Sequence, residues 1–141
     1  VTTPLYSLDV LRLAASTANL HRLENPQVSV EKRSPTCGSR VRVDMIVDAD
    51  GKVQALGAEL HACALGQAST ALMAAHVVGR TGAEIAEARD SLRAFLKGEA
   101  EQPGDWPGLD VFAAARKHSA RHAAILLAFE AAAEAATAAA R

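Results

Sequence analysis

The sequence predicts an α+β fold, a three-stranded antiparallel sheet packed on one face by four to five helices. Two observations carry this reading. Apolar and polar residues alternate between Val28 and Leu60, the period of half-buried strands, and from Cys63 onward the apolar residues recur at helical spacing. Strands come first and helices after, which is the order of a two-layer α+β domain rather than of a parallel α/β sheet. With 141 residues, 50% of them hydrophobic and 4% aromatic, the chain fits a single domain over residues 1–141 with a core of Ala, Leu and Val.

The elements follow in order. After Pro4, Leu5, Leu8, Val10, Leu11 and Leu13 mark a short amphipathic helix that ends near Asn19. Asn25-Pro26 breaks the chain. Val28 and Val30 begin a strand, and residues 34–39 form a loop or tight turn. Val41, Val43, Met45 and Val47, alternating with Arg42, Asp44 and Ile46, make the clearest strand. Asp50-Gly51 signals a hairpin, so a third strand runs from Val53 to about Leu60. A helix then spans Cys63 to Val78, with Leu65, Ala68, Leu72 and Ala75 on one stripe, and residues 79–82 stop it. The next helix, Ala83 to Leu96, turns Ile85, Ala88, Leu92 and Phe95 inward. Residues 98–108 are a loop. A short helix, Leu109 to Lys117, precedes a long Ala-rich one, Ala120 to Ala140.

Composition excludes several classes of function. The net charge of -1 without a basic stripe gives no electrostatic basis for binding nucleic acid or an anionic membrane. No apolar run is expected to span a membrane, because Glu130 and Glu134 interrupt the richest segment, Ala123 to Ala140. The start, Val1 to Pro4, does not read as a secretory signal. Two cysteines without secretory context point to free thiols in a reducing, cytoplasmic setting.

The residues able to carry chemistry are few. Cys37 sits on a loop, before a glycine that lets the backbone approach a bound ion. Cys63 sits where a strand gives way to a helix, whose free N–H groups favour a thiolate. Two thiolates brought together by the fold suit zinc, ferrous iron or a cluster; the plain alternative is that each cysteine is a small buried apolar residue. His61 is two residues before Cys63 and shares its side if the strand continues. His118 and His122 are four apart and share a face if the helix is continuous there; solvated surface histidines are the alternative. His21 and His76 have no recognisable context. Asp48, Asp50 and Gly51 fit a hairpin better than a calcium loop. No phosphate-binding glycine loop or nucleophile elbow is present.

These pieces together resemble the NifU/IscU/SufU iron–sulfur cluster scaffold family, the SufU branch most closely. The stretch Ser34-Pro35-Thr36-Cys37-Gly38-Ser39-Arg40-Val41 is similar to the family's Asn-Pro-Thr-Cys-Gly-Asp-Arg-Ile loop. The stretch from Leu60 to Met73 is similar to its Gly-x-Gly-Cys-Ala-Ile-Ser-x-Ala-Ser segment. The stretch from Arg116 to Phe129 is similar to its Arg-Lys-Phe-Pro-Ala-Arg-x-Lys-Cys-Ala tail. The resemblance implies a non-enzymatic scaffold that accepts sulfur from a cysteine desulfurase and assembles an iron–sulfur cluster, or binds zinc and relays sulfur. It carries the first two ligand cysteines onto Cys37 and Cys63. The family's Asp falls on Ser39 and its third Cys on Ala124, neither of which replaces the donor. The ordinary site is therefore expected to be incomplete, with His61, His118 or His122 as substitute ligands. His122 is the least favoured, since ideal helix geometry turns it about 160° from residue 124. Residues 105–109 lack the family's chaperone-binding Leu-Pro-Pro-Val-Lys segment. Two other readings stand beside a metal or sulfur role. One is a degenerate scaffold that only docks on a desulfurase. The other is a dithiol redox protein, which needs the two α-carbons within about 7 Å.

Overall fold

The computed structural model describes residues 4–35 and 37–141. Val1 to Thr3, part of the start read as lacking a signal, and Thr36 of the cysteine loop lie outside the described residues.

Helix α1 (Leu8–Ser16) begins at Ser7, whose hydroxyl accepts a hydrogen bond from the Val10 N–H at 3.2 Å, and a 3₁₀ turn, Thr17–Asn19, ends it. Three strands follow, β1 (Val28–Arg33), β2 (Arg40–Val47) and β3 (Val53–His61), in the antiparallel order β1-β2-β3 among the described residues. The register sets Val30 beside Val43 and Val43 beside Ala58, so one sheet face is apolar except for Lys32, which pairs with Glu134 of the helix layer at its edge. At the β2–β3 turn the Asp48 carboxylate accepts hydrogen bonds from the N–H groups of Asp50 and Lys52. This occupies Asp48 in a hairpin, as the sequence suggested.

Helices α2 (Ala64–His76) and α4 (His122–Ala139) lie on the apolar face, α4 covering most of it, and α3 (Gly82–Leu96) packs against α4. Thr81 and Glu84 close a reciprocal capping box at the start of α3, satisfying two N–H groups that the helix itself leaves open. Helix α4 is central and touches β1, β2, α2 and α3. The loop after α3 contributes Trp106, whose indole N–H donates to the Leu72 carbonyl at 2.9 Å while its ring meets Phe129 of α4 edge-on.

Three expectations need correction. Leu8 and Leu11 do not form the buried face of α1; they are 61% and 48% exposed, while Val10 and Ala14 point into the core. Ala75 is exposed, and the early turns of α2 are buried nearly all round, from Leu65 and Gly66 through Ala68 to Met73. The small residues there let α2 sink between α1 and α4, so a single stripe was too narrow a description. Finally, residues 119–139 are long and apolar enough by composition to cross a bilayer despite Glu130 and Glu134, yet 61% of that apolar window is buried within the fold. The hydropathy there reflects the position of α4 at the centre of the core.

The outer sheet face is held by one charged cluster. Asp44 is fully buried on β2 and its carboxylate accepts from Arg22 Nε and Nη2, both at 3.0 Å, from the Leu23 N–H at 3.0 Å and from the Ser29 hydroxyl. Burial alone would raise its pKa. The Arg22, Ser29 and Leu23 donors outweigh burial and hold it below the usual carboxylate range. A depressed folded pKa contributes stability above the unfolded value, about 3.9, which is lost as pH falls through the lower folded value. Asp44→Asn is therefore expected to lower Tm by roughly 5–10 °C at pH 7. The difference from wild type should shrink in melts taken at progressively lower pH below about 4.

Candidate functional site

The site grows from the β1–β2 hairpin. The Ser34 N–H donates to the Ser39 carbonyl at 2.8 Å and the Gly38 N–H to the Ser34 carbonyl at 3.2 Å, which pinches the loop shut. Gly38 has a φ of 72°, a left-handed conformation that favours glycine, and so turns the chain immediately after Cys37. The result is an exposed Cys37 between two serines that are each 4% exposed. Its sulfur lies 3.2 Å from the Ser39 hydroxyl oxygen. The hydroxyls of Ser34 and Ser39, with the positive charge of Arg121, hold the Cys37 thiol below its ordinary pKa. Sequence reasoning assigned no role to Ser34 or Arg121. Only their presence inside the matched motifs could have drawn notice, since Arg121 reaches Cys37 through the fold.

Cys63 is half-buried, packs against the hydrophobic core and is the N-cap residue of α2. One turn later Gly66 meets α4. A Cβ at residue 66 would lie 3.3 Å from the Ala124 carbonyl oxygen and 3.7 Å from the Ala124 Cβ. The Ser69 hydroxyl donates to the Ile125 carbonyl just beyond. The start of α4 therefore borders both cysteine segments, Arg121 toward Cys37 and Ala124 toward the first turn of α2.

The histidines are placed apart from this junction or otherwise engaged. β3 ends at His61, so strand alternation does not extend to Cys63 as assumed. His61 pairs in register with Arg40 on the outer, exposed side of the sheet, opposite the core face on which Cys63 packs. The continuous helix assumed for His118 and His122 is not formed. A 3₁₀ segment, Leu109–Lys117, ends at His118, a second, Ser119–Arg121, follows, and α4 starts only at His122. His118 is exposed, and the His122 Nε2 lies 2.8 Å from the Ala115 carbonyl oxygen. Zinc takes four ligands. Among the described residues no group of three or more His, Cys, Asp or Glu side chains could hold one ion, so these donors do not fit a resident metal.

The architecture is that of an α+β domain with an exposed thiol, Cys37, on a hairpin lined by two buried serines. The chain belongs to the family of the NifU-like N-terminal domain, whose model matches residues 5–124. The crystal structure of a nitrogen-fixing NifU-like protein, N-terminal part, from Brucella abortus is similar at 34% identity and a TM-score of 0.85, over 96% of this chain and 94% of that one. A SufU protein of Fervidobacterium islandicum AW-1, assigned as an iron–sulfur cluster assembly scaffold for the SUF system, shares the fold. It is 22% identical with a TM-score of 0.83, over 91% of this chain and 93% of that one. None of the curated protein sequences compared with the chain matches it.

Proposed function

We propose that the chain is a scaffold-type protein of iron–sulfur cluster assembly that accepts sulfur on Cys37, with Cys63 as its second thiol and a cysteine desulfurase as donor. One observation carries the reading: Cys37 is exposed at the hairpin tip and its sulfur is held beside the Ser39 hydroxyl. In the transfer, the Cys37 thiolate attacks the outer sulfur of the donor's cysteine persulfide. A new S–S bond forms at Cys37, the donor's S–S bond breaks, and the donor leaves as a thiolate. No external oxidant or reductant is needed. Family membership supports the scaffold role, with the cluster as cargo rather than resident cofactor. The protein then acts as a carrier and not as a turnover catalyst, in a reducing compartment that keeps both thiols free.

The test is to incubate the protein with a cysteine desulfurase and cysteine and to weigh the intact chain. The added mass of one sulfur on Cys37, absent in Cys37→Ser and kept in Cys63→Ser, supports the reading. A stable complex with the desulfurase, but no sulfur on either cysteine, supports instead a module that only docks. The hairpin chemistry has its own readout. Alkylation of Cys37 by iodoacetamide should reach half its maximal rate at a pH below the ordinary thiol value of about 8.5. Ser39→Ala and Arg121→Ala should each move that midpoint upward, and midpoints unchanged in both would sink the assigned roles.

A further inference from the structure

The two edges of the sheet are treated differently. The outer edge of β3 is covered. Its Ala58 N–H donates to the His21 carbonyl at 3.0 Å, its Val53 N–H to the Arg80 carbonyl at 2.8 Å, and the Gly79 N–H to the Val53 carbonyl at 2.8 Å. The outer edge of β1 is bare. The hydrogen bond from Ser34 to Ser39 fixes the ladder phase. Val30 and Lys32 share that phase and turn their N–H and C=O groups toward β2, whereas those of Ser29, Glu31 and Arg33 point away from it. Among the described residues, no backbone hydrogen bond from another element reaches these last three.

Beside this edge runs a groove of about 1030 Å³, between β1 and α3 and floored by α4. Val30, Leu126, Leu127 and Ala133 form its apolar floor; Arg89 and Arg93 stand on the α3 bank, Lys32 on the β1 bank is paired with Glu134 at 2.9 Å, and Arg33 projects from the outer face of the same edge. These arginines now pair with Glu31, Asp90 and Glu130 at 3.0 to 3.5 Å, in contacts that are partly solvent-accessible. Exposed pairs of this kind are weak and exchange readily for incoming carboxylates.

We propose that the bare edge of β1, with the groove beside it, docks an extended acidic segment of a partner protein, which joins the sheet as a further strand. Backbone pairing with Ser29, Glu31 and Arg33 supplies affinity, and alternate side chains supply specificity. Inward residues of the segment are small and apolar, to lie over Leu127 and Ala133. Its outward carboxylates meet Arg33, and the positive field of Arg89 and Arg93 on the α3 bank favours the same charge. The charges of β1 itself discourage indiscriminate pairing, and leave a strand of matching charge as the occupant. The groove ends at Ser34 and Pro35, so a docked segment is brought next to the Cys37 hairpin.

The probe is a fluorescein-labelled hexapeptide of alternating Asp and Val, compared with its Lys–Val counterpart by anisotropy on the full chain. The acidic peptide should bind and slow amide exchange at Ser29, Glu31 and Arg33. Glu31→Pro removes an outward N–H without cutting the bond to β2, a substitution that edge strands accept, and should abolish binding. Glu31→Ala, which keeps that N–H, should bind. Arg89→Glu should weaken binding about tenfold. Absence of binding by wild type, equal binding of the lysine peptide, or unchanged binding in Arg89→Glu would overturn the proposal. Should Glu31→Pro melt early, Arg89→Glu and the exchange map decide alone. None of these readouts involves sulfur transfer, so the result stands apart from the fate of Cys37.

Discussion

Replacing Ser39 by Asp and Ala124 by Cys should give a variant that retains a full equivalent of zinc and holds it more tightly than the wild type does. The two substitutions supply what the described donors lack. Residue 39 already places its hydroxyl oxygen 3.2 Å from the Cys37 sulfur, so a carboxylate there adds a charged oxygen ligand at the same point. Residue 124 is 2% exposed and faces the first turn of α2, one turn from Cys63. A thiol at residue 124 is added beside the first turn of α2, the helix that Cys63 caps. Two charged ligands added to two thiolates complete a tetrahedral set, and the gain in zinc affinity should be about a thousandfold or more. Metal content after anaerobic purification without a histidine tag gives the first readout, and competition with a chelator gives the second. Ala124→Cys adds a sulfur to a tight contact, so Tm is measured alongside. One full equivalent of zinc in the wild type, lost in Cys37→Ala, would show that Ser39 and Ala124 are not what limits the site. The double variant would then have nothing to restore. Neither result bears on whether Cys37 accepts sulfur.

The fold was legible because its signals are local. The alternation of Val41, Val43, Met45 and Val47 marks β2 without any knowledge of its neighbours, and Asp50-Gly51 marks the turn after it. The site was legible only as far as its motifs reach. Cys37 and Cys63 stand at a hairpin tip and at a helix N-cap, close to where their flanking residues placed them. What the sequence could not show is long-range. Arg121 acts on Cys37 from 84 positions away, and the orientation of His122 toward Ala115 depends on a break at His118 that helical periodicity does not announce. The exposed Leu8 and Leu11 make the same point, since a leucine stripe reveals a helix but not which flank its neighbours leave uncovered. Asp44 is the clearest case. Its place in the alternating pattern puts it on the polar face, yet it is buried, because residues 21–23 lie across that face and bring Arg22 with them.

That crossing strap yields the largest stability effect expected of a single small substitution. Gly57→Ala should lower Tm by roughly 10–15 °C, far more than one methyl group usually costs in a sheet. Gly57 is the register partner of Asp44 on β3, and the strap passes directly over it. A Cβ at residue 57 would lie 2.6 Å from the His21 carbonyl oxygen and 2.6 Å from the Leu23 nitrogen. Both obstacles are backbone, so no side chain can swing aside. The strap must lift. Lifting it draws the Leu23 N–H away from Asp44 and the His21 carbonyl away from the Ala58 N–H, each now at 3.0 Å. Overpacking contributes about 1–3 kcal/mol. Loss of a hydrogen bond to a buried carboxylate adds about 1.5–3 kcal/mol. The two effects are coupled through one rigid segment, so Gly57→Ala and Asp44→Asn should be less than additive when combined. Thermal melts of both single variants and the double variant measure this directly, and faster amide exchange at Ala58 in Gly57→Ala should report the lifted strap. A melt within about 2 °C of wild type would mean the strap yields without cost, and that the buried Asp44 cluster does not depend on the missing side chain at Gly57.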